Sequence, residues 1–448
     1  MIILYSLVVF VLIFFLINLI KQNNSIEGHF STALIFTIGC FIFYYAVPIE
    51  LLLSSNKTLN VGKIQVSFTT ELSYLIIING LLANIAFIIG YNNSKLSKFF
   101  RLLNLERFDE KTSGKQIEKR SFLRFNKMTF SAIIIFFLIL VLFGDIVIAI
   151  KGNYWENVYF SYSNPLYSFL LYLLLIIICV ESASSFLERE KILVPVFFLS
   201  LIIFWGFYSS DKNPILLAAF GLSAIFYRKK FKNPIYFYFV TIIIIFGVFG
   251  FTTFFSAFRS GITLNLELLV NAILDRGIFV HSDPTGPMIS IHKTLTNSFD
   301  LSYGITYIES FFLLIPKFLW SSRPLDLASQ FAIENMTNWK PGYGMGFSLL
   351  AESILNFNII IGPIVQYFFL GFLWGWLWEK VRRLMLNVKG SFFLSLYLVL
   401  GNYTLIVMHR LAFSGIIKQL LVYMIIIIAI QKIGFSYREK VFLKRSRN

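Results

Sequence analysis

The sequence predicts an all-α, polytopic integral membrane protein: about 11 transmembrane helices and a large helical external loop. Three observations carry this. Of the 448 residues, 57% are hydrophobic and 18% aromatic, and mean hydropathy is +0.75. Charged residues make up only 14%, against roughly a quarter in soluble domains. The apolar residues also fall in runs of about 18 or more, each long enough to cross a hydrocarbon core of ~30 Å. Length alone would suggest about three soluble domains of ~150 residues. Composition excludes that reading, and with it a disordered scaffold and a disulfide-rich secreted module.

In chain order, spans are expected at 2–20, 30–53, 68–91, 129–150, 165–187, 192–208, 214–227, 235–257, 347–378, 391–409 and 414–431. The chain then divides into three. Residues 1–257 hold helices 1–8 and a basic cytoplasmic loop, 92–127. Residues 258–346 form the external loop, and 347–448 hold helices 9–11 with a basic tail. The first span begins Met1-Ile2-Ile3-Leu4 with no charged leader and no small-residue cleavage site after it, so it is expected to be retained. Cys40 and Cys179 both fall within spans, so no disulfide framework is implied.

Charge sets the orientation. Segments 21–29, 92–127, 188–191, 228–234, 379–390 and 432–448 carry 27 Lys and Arg. The short segments on the other side carry five: Lys57, Lys63, Lys151, Lys212 and Arg410. The positive-inside rule puts the first group in the cytoplasm, with the N-terminus outside and the C-terminus inside. The net charge of +16 is therefore an orientation signal and an attraction to anionic headgroups of the bilayer. It is not the footprint of a nucleic-acid partner.

Two hydrophilic segments interrupt the apolar rhythm. Residues 92–127 have ten Lys/Arg, four Asp/Glu and little periodicity, which reads as a solvated loop. Residues 258–345 carry six Lys/Arg and seven Asp/Glu, and a segment so long is expected to be structured. In 262–276, Thr263, Glu267, Asn271 and Asp275 recur every fourth residue opposite Leu266, Leu269, Val270 and Ile273, an amphipathic helix. Residues 305–320 are apolar but interrupted, and suit an interfacial or re-entrant segment. In 325–335, Asp326, Gln330 and Glu334 face away from Leu327 and Phe331, a third helix. The two halves show no internal repeat, which counts against a secondary transporter built from inverted repeats.

For chemistry, the absences come first. The chain has no Walker sequence, no HExxH, no CxxC and no GxSxG, and its four histidines lack metal-ligand spacing. No metal and no cofactor is expected, so the substrate must arrive activated. Ionisable residues at membrane depth are costly and mark function. Arg410 falls at the outer mouth of the last two spans, and Ser414 and Lys418 follow at successive fours as a polar stripe. Lys418 also has a plainer reading, as the partner of an acid such as Glu181. Glu352 falls early in the ninth span, near the outer face. The run Gly342-Tyr343-Gly344-Met345-Gly346 leads into that span through Ser348, offering close backbone approach and free helix-start N–H groups. In the outer loop, Arg259, Arg276, His281, Asp283, His292, Lys317 and Arg323 are the candidates. His281 and Asp283 have the turn context of a loop site.

Between 316 and 362 the residues fall into a known pattern: Pro316-Lys317, Trp320, Arg323-Pro324, Gly344-Met345-Gly346-Phe347-Ser348, Ala351-Glu352-Ser353, Asn356-Phe357 and Gly362. This stretch resembles the O-antigen polymerase family, the Wzy-type oligosaccharide repeat-unit polymerases. The chain has Asn358 where that family usually has Gly, and Asp211-Lys212-Asn213-Pro214 where relatives often carry Gly and Arg. The resemblance implies a glycosyltransferase on the outer face of the bacterial cytoplasmic membrane. Its substrates would be polyprenyl-diphosphate-linked oligosaccharides, joined into O-antigen, capsular or exopolysaccharide chains. It makes a chain-length regulator and a flippase the protein partners to look for.

Such a reaction needs stabilisation of the departing diphosphate and a base for the acceptor hydroxyl. Arg410 is expected in the first role, since its forked donors suit a diphosphate, with Arg259, Arg276 and Lys418 behind it. Glu352, or else His281, is expected as the base. Asp283, Lys317, Arg323, Gly344, Gly346 and Ser348 are expected to contact substrate. Two alternatives stay open: an O-antigen ligase using the same donor, and a lipid-linked oligosaccharide flippase or polysaccharide transporter.

Overall fold

Helices that are apolar on every side can be buried in protein or in lipid, and both kinds are present. The computed structural model describes residues 2–27, 31–54, 57–61, 64–96, 132, 134–145, 147, 154–188, 193–209, 211–229, 279–280, 284–296, 301–315, 319–336, 339, 346–384, 394–423 and 425. The described residues are mostly helical, with little strand. The expected loop 92–127 beyond Leu96, the spans at 235–257 and the amphipathic helix 262–276 lie outside the described residues, as do Arg259, Arg276, His281, Asp283, Lys317 and Gly344.

The first half runs α1 (Ile2–Glu27), α2 (Thr32–Leu53), α3 (Thr70–Leu96), α4 (Ile134–Asp145), α5 (Tyr154–Ser163), α6 (Pro165–Glu188), α7 (Leu193–Tyr208) and α8 (Lys212–Lys229). The second half runs α9 (Thr285–Thr296), α10 (Ile305–Phe312), α11 (Leu327–Asn335), α12 (Leu349–Phe357) and α13 (Ile361–Leu384). It closes with α14 (394–407) and α15 (Phe413–Tyr423). Among the described residues, five helices are long and apolar enough to cross a membrane: Ile3–Asn23 of α1, all of α2, Thr70–Ser94 of α3, Pro165–Leu187 of α6 and Ile361–Glu379 of α13. This is a helical membrane protein.

Helix α3 packs closely on α13, and the pairing depends on small residues. A Cβ at Gly90 would collide with the Phe368 carbonyl, one at Gly371 with that of Phe87, and one at Gly375 with Ser94. In lipid the hydrophobic effect does not pull helices together, so this intimate backbone approach supplies the packing. Tyr44 and Tyr367, both buried, share a hydrogen bond between their hydroxyls, joining α2 to α13. Thr32 on α2 bonds the Tyr397 hydroxyl on α14. Both α2 and α14 carry a π-helical turn, at Phe41–Tyr45 and Tyr397–Gly401. These turns fall where the buried tyrosines emerge.

One expected span is divided. The apolar pattern suggested a continuous ninth helix over 347–378, but α12 and α13 are separate. Asn358 takes φ 85°, which interrupts the ladder, and its Oδ1 accepts from the backbone N–H of Ile360 and Ile361. It thereby caps the next helix. Gly362 lets the two helices cross, because a Cβ there would meet the Ser353 carbonyl. Glu352 consequently lies on a nine-residue helix ahead of the spanning helix α13.

Outside the spanning helices, an antiparallel hairpin pairs β1 (Thr58–Val61) with β2 (Ile64–Ser67), in register from Thr58↔Ser67 to Val61↔Ile64. Strands of four residues left no alternation for the sequence reading to find. His292 on α9 bonds the Ser67 carbonyl at 3.0 Å. Glu50, near the end of α2, accepts from the N–H groups of Phe279 and Val280 at 2.8 Å each. The helix expected within 325–335 is α11, with Asp326 capping it through the Ser329 N–H.

Candidate functional site

The segment between α14 and α15 organises the site. The chain finishes α14, closes a 3₁₀ turn over Met408–Arg410 and becomes extended at Leu411. It then restarts as a helix at Phe413. This corrects one expectation. Arg410 does not continue a stripe with Ser414 and Lys418, because the extended residue breaks the helical period between them. Arg410 stands on its own turn.

That turn is gripped from behind by Glu352. The Glu352 side chain is fully buried. Its Oε2 accepts from the Phe413 backbone N–H at 2.5 Å, and its Oε1 from the Thr306 hydroxyl at 2.9 Å. A carboxylate at the start of α15 meets the positive end of the helix dipole. Asn356, one turn along α12, donates to the Thr306 hydroxyl at 2.7 Å and to the Glu352 carbonyl at 2.9 Å. Its own Oδ1 accepts from Gly304 N–H. Burial pushes the Glu352 carboxyl up to about 7, against the pull of the Phe413 and Thr306 donors. Both oxygens are occupied and no side faces outward. In this arrangement Glu352 holds the turn.

Ser348 is likewise buried. Its Oγ accepts from Leu350 N–H to start α12 and donates to the His409 carbonyl at 3.3 Å, while its N–H goes to Ser290 Oγ. Gly346 takes φ 74° and approaches Pro287 and the Arg410 carbonyl, a space that a side chain would fill. Both expected contact residues therefore belong to the support of the turn. His409 packs its ring on Phe36 at 4.7 Å and edge-on to Tyr44 at 5.0 Å. A Cβ at Gly39 would strike that ring.

Arg410 itself is half-buried, and its Nη2 donates to Asn213 Oδ1 at 3.1 Å. The same oxygen accepts from the Tyr403 hydroxyl at 3.1 Å. Asn213 sits at the first turn of α8, with Asp211 Oδ1 accepting from both its backbone N–H and its amide. The guanidinium is thus brought to the tip of the α7–α8 connection, beside the Asp211-Lys212-Asn213 tract.

Two other expected residues have partners of their own. Arg323 Nη1 donates to the Leu313 and Ile315 carbonyls at 2.6 Å each, closing the end of α10. The charged neighbours of Lys418 are Asp326 and Arg323, and Glu181 is not among them. The structure thus brings together Arg410, Glu352, Ser348 and Gly346, while Arg323 and Lys418 have other neighbours. No sequence pattern singles out Thr306 or His409, whereas Asn356 stands in the 316–362 pattern and Asn213 in the charged tract before Pro214. Among the described residues no three His, Cys, Asp or Glu side chains converge on a metal position.

Comparison with protein-family models, curated proteins and solved structures returns no match.

Proposed function

We propose that this protein is a polysaccharide polymerase, a membrane glycosyltransferase that joins polyprenyl-diphosphate-linked oligosaccharide units. In this reading the chain crosses the bacterial cytoplasmic membrane eleven times, with α13 as the ninth crossing, and it works on the outer face. The resemblance at 316–362 supports it, as do the charge asymmetry and the absence from the sequence of any nucleotide motif. The observation that carries it is the mounting of Arg410: a guanidinium on a short turn, fastened in front to Asn213 and behind, through Phe413, to buried Glu352.

The chemistry follows from that mounting. An acceptor hydroxyl oxygen attacks the anomeric carbon of the donor, the bond from that carbon to phosphate oxygen breaks, and the diphosphate leaves with the electron pair. A preorganised cation beside the leaving oxygens lowers the barrier without reorganisation cost. Arg410 fills that role, and its planar fork matches two phosphate oxygens at once. The hydroxyl proton passes to a base. With Glu352 closed off, His281 is the proton acceptor in this reading, and Glu352 is a positioning residue.

The test is a gel of lipid-linked glycans from a polymerase-deficient strain carrying the gene. Wild type should restore a ladder and Arg410→Ala only single units, at equal protein level. A full ladder from Arg410→Ala would remove the proposal.

A further inference from the structure

We propose that the cleft framed by α5, α6, α7 and α8 is a subsite for one pyranose ring of the glycan. It deepens the polymerase reading and rests on it for the source of the sugar. The cleft is small, about 60 Å³ in cavity volume, with an open mouth, so a single ring would be seated partly in it and partly in the mouth. Its wall is built for hydroxyls rather than for phosphate. Among the described residues that line it, Asp211 is the only charged one and there is no Lys or Arg. A carboxylate repels a diphosphate but accepts hydrogen bonds well from sugar hydroxyls.

The lining pairs aromatic surface with polar groups that still have capacity. Trp205 and Tyr172 both face the cleft, and aromatic planes pack against the C–H face of a sugar ring. Both hydrogen bonds that Asp211 receives fall on Oδ1, which leaves Oδ2 to a ligand. Asn157 is only 6% exposed, yet its Oδ1 has no hydrogen-bond partner. A buried amide oxygen without a partner is costly, and a ligand hydroxyl in the cleft would satisfy it. A concave site with a few convergent polar groups is a common form of small-molecule site.

Position gives the subsite its purpose. Asn213 lines the cleft and also accepts from Arg410. A ring seated here would lie beside the cation that the proposed function sets against the diphosphate.

The experiment is saturation-transfer NMR on the full-length protein in nanodiscs. The probes are the methyl glycosides of glucose, galactose, mannose, rhamnose, N-acetylglucosamine and N-acetylgalactosamine, with inorganic pyrophosphate alongside. Wild type should give a saturable signal with at least one glycoside. Asp211→Asn and Asn157→Leu should each weaken it about tenfold or more, and pyrophosphate should not compete. Asn157→Leu removes an orphan oxygen, so it guards against a result caused by unfolding. No saturable glycoside signal, a signal that both variants keep, or competition by pyrophosphate would each overturn the subsite. Ladder formation is scored in parallel. Glycoside binding with no ladder from wild type would uphold the cleft and remove the polymerase reading. A full ladder from both variants would remove the cleft from the reaction and leave that reading standing.

Discussion

Two polar regions flank the 408–412 turn, and they are built on opposite terms. Behind it, Glu352, Thr306, Asn356 and Ser348 form a closed knot in which each side chain has its partners inside the protein. In front of it, the cleft beside Asp211 and Asn157 is open, and one buried oxygen there is left without a partner. Buried polar networks rigidify when satisfied and are costly when they are not. The contrast separates two uses of polarity: one region fixes a position, the other keeps capacity for something that arrives. Arg410 stands on the seam.

The sharpest way to break the comparison is at that seam. Arg410→Ala should cut polymer yield about 100-fold or more, the scale of a lost electrostatic donor, with little change in thermal midpoint. Arg410→Lys should recover part of the yield, because it keeps charge but loses the fork. Ladder length on gels and the unfolding midpoint, measured on one preparation, would check both.

Next comes the knot. Glu352→Ala leaves Phe413 N–H and the Thr306 hydroxyl without their buried acceptor, and should cost about 3 kcal/mol. The loss should appear as a lower thermal midpoint in detergent, with polymer yield falling alongside it. In the wild type the same residue should impose a pH dependence. Its folded pKa of about 7 lies above the ordinary 4.5. Between those values the unfolded chain ionises while the folded one keeps its proton. Stability should therefore be greatest below 4.5, fall as pH rises towards 7 and level off above it. The total is on the order of 3 kcal/mol. Glu352→Gln should flatten that slope, and a midpoint-against-pH curve for the two proteins would decide.

Smaller effects sharpen the contrast further. Thr306→Val removes a donor to Glu352 and an acceptor for Asn356, so a loss of about 1–2 kcal/mol is expected. Asn157→Leu, in the cleft, should change stability by less than about 0.5 kcal/mol in either direction, since it discards an unsatisfied atom along with one weak bond to the Ser209 carbonyl. Comparable losses from both substitutions would mean that the two regions are alike.

What could be read from the sequence was local. The membrane class follows from composition, and α11 from a four-residue spacing behind Asp326, because capping and period act within a few residues. The division at Asn358 was hidden, since Ile359, Ile360 and Ile361 continue the apolar run through it. The knot was hidden for another reason. Thr306 reaches Glu352 across 46 residues, Glu352 reaches Phe413 across 61, and Arg410 reaches Asn213 across 197. Partners that far apart leave no spacing to detect. Residue type still singled out Glu352 and Arg410, because ionisable groups are scarce in so apolar a chain.

The bond from Glu50 to Phe279 and Val280 has a consequence in time. Its two sides are separated by 229 residues. At a synthesis rate of ~5–20 residues per second, α2 leaves the ribosome roughly 10–45 s before those N–H groups exist. The end of α2 therefore waits through about half of the chain's synthesis for its backbone partners. Slowing translation between the two should lengthen the interval in which an unfinished protein is open to proteases.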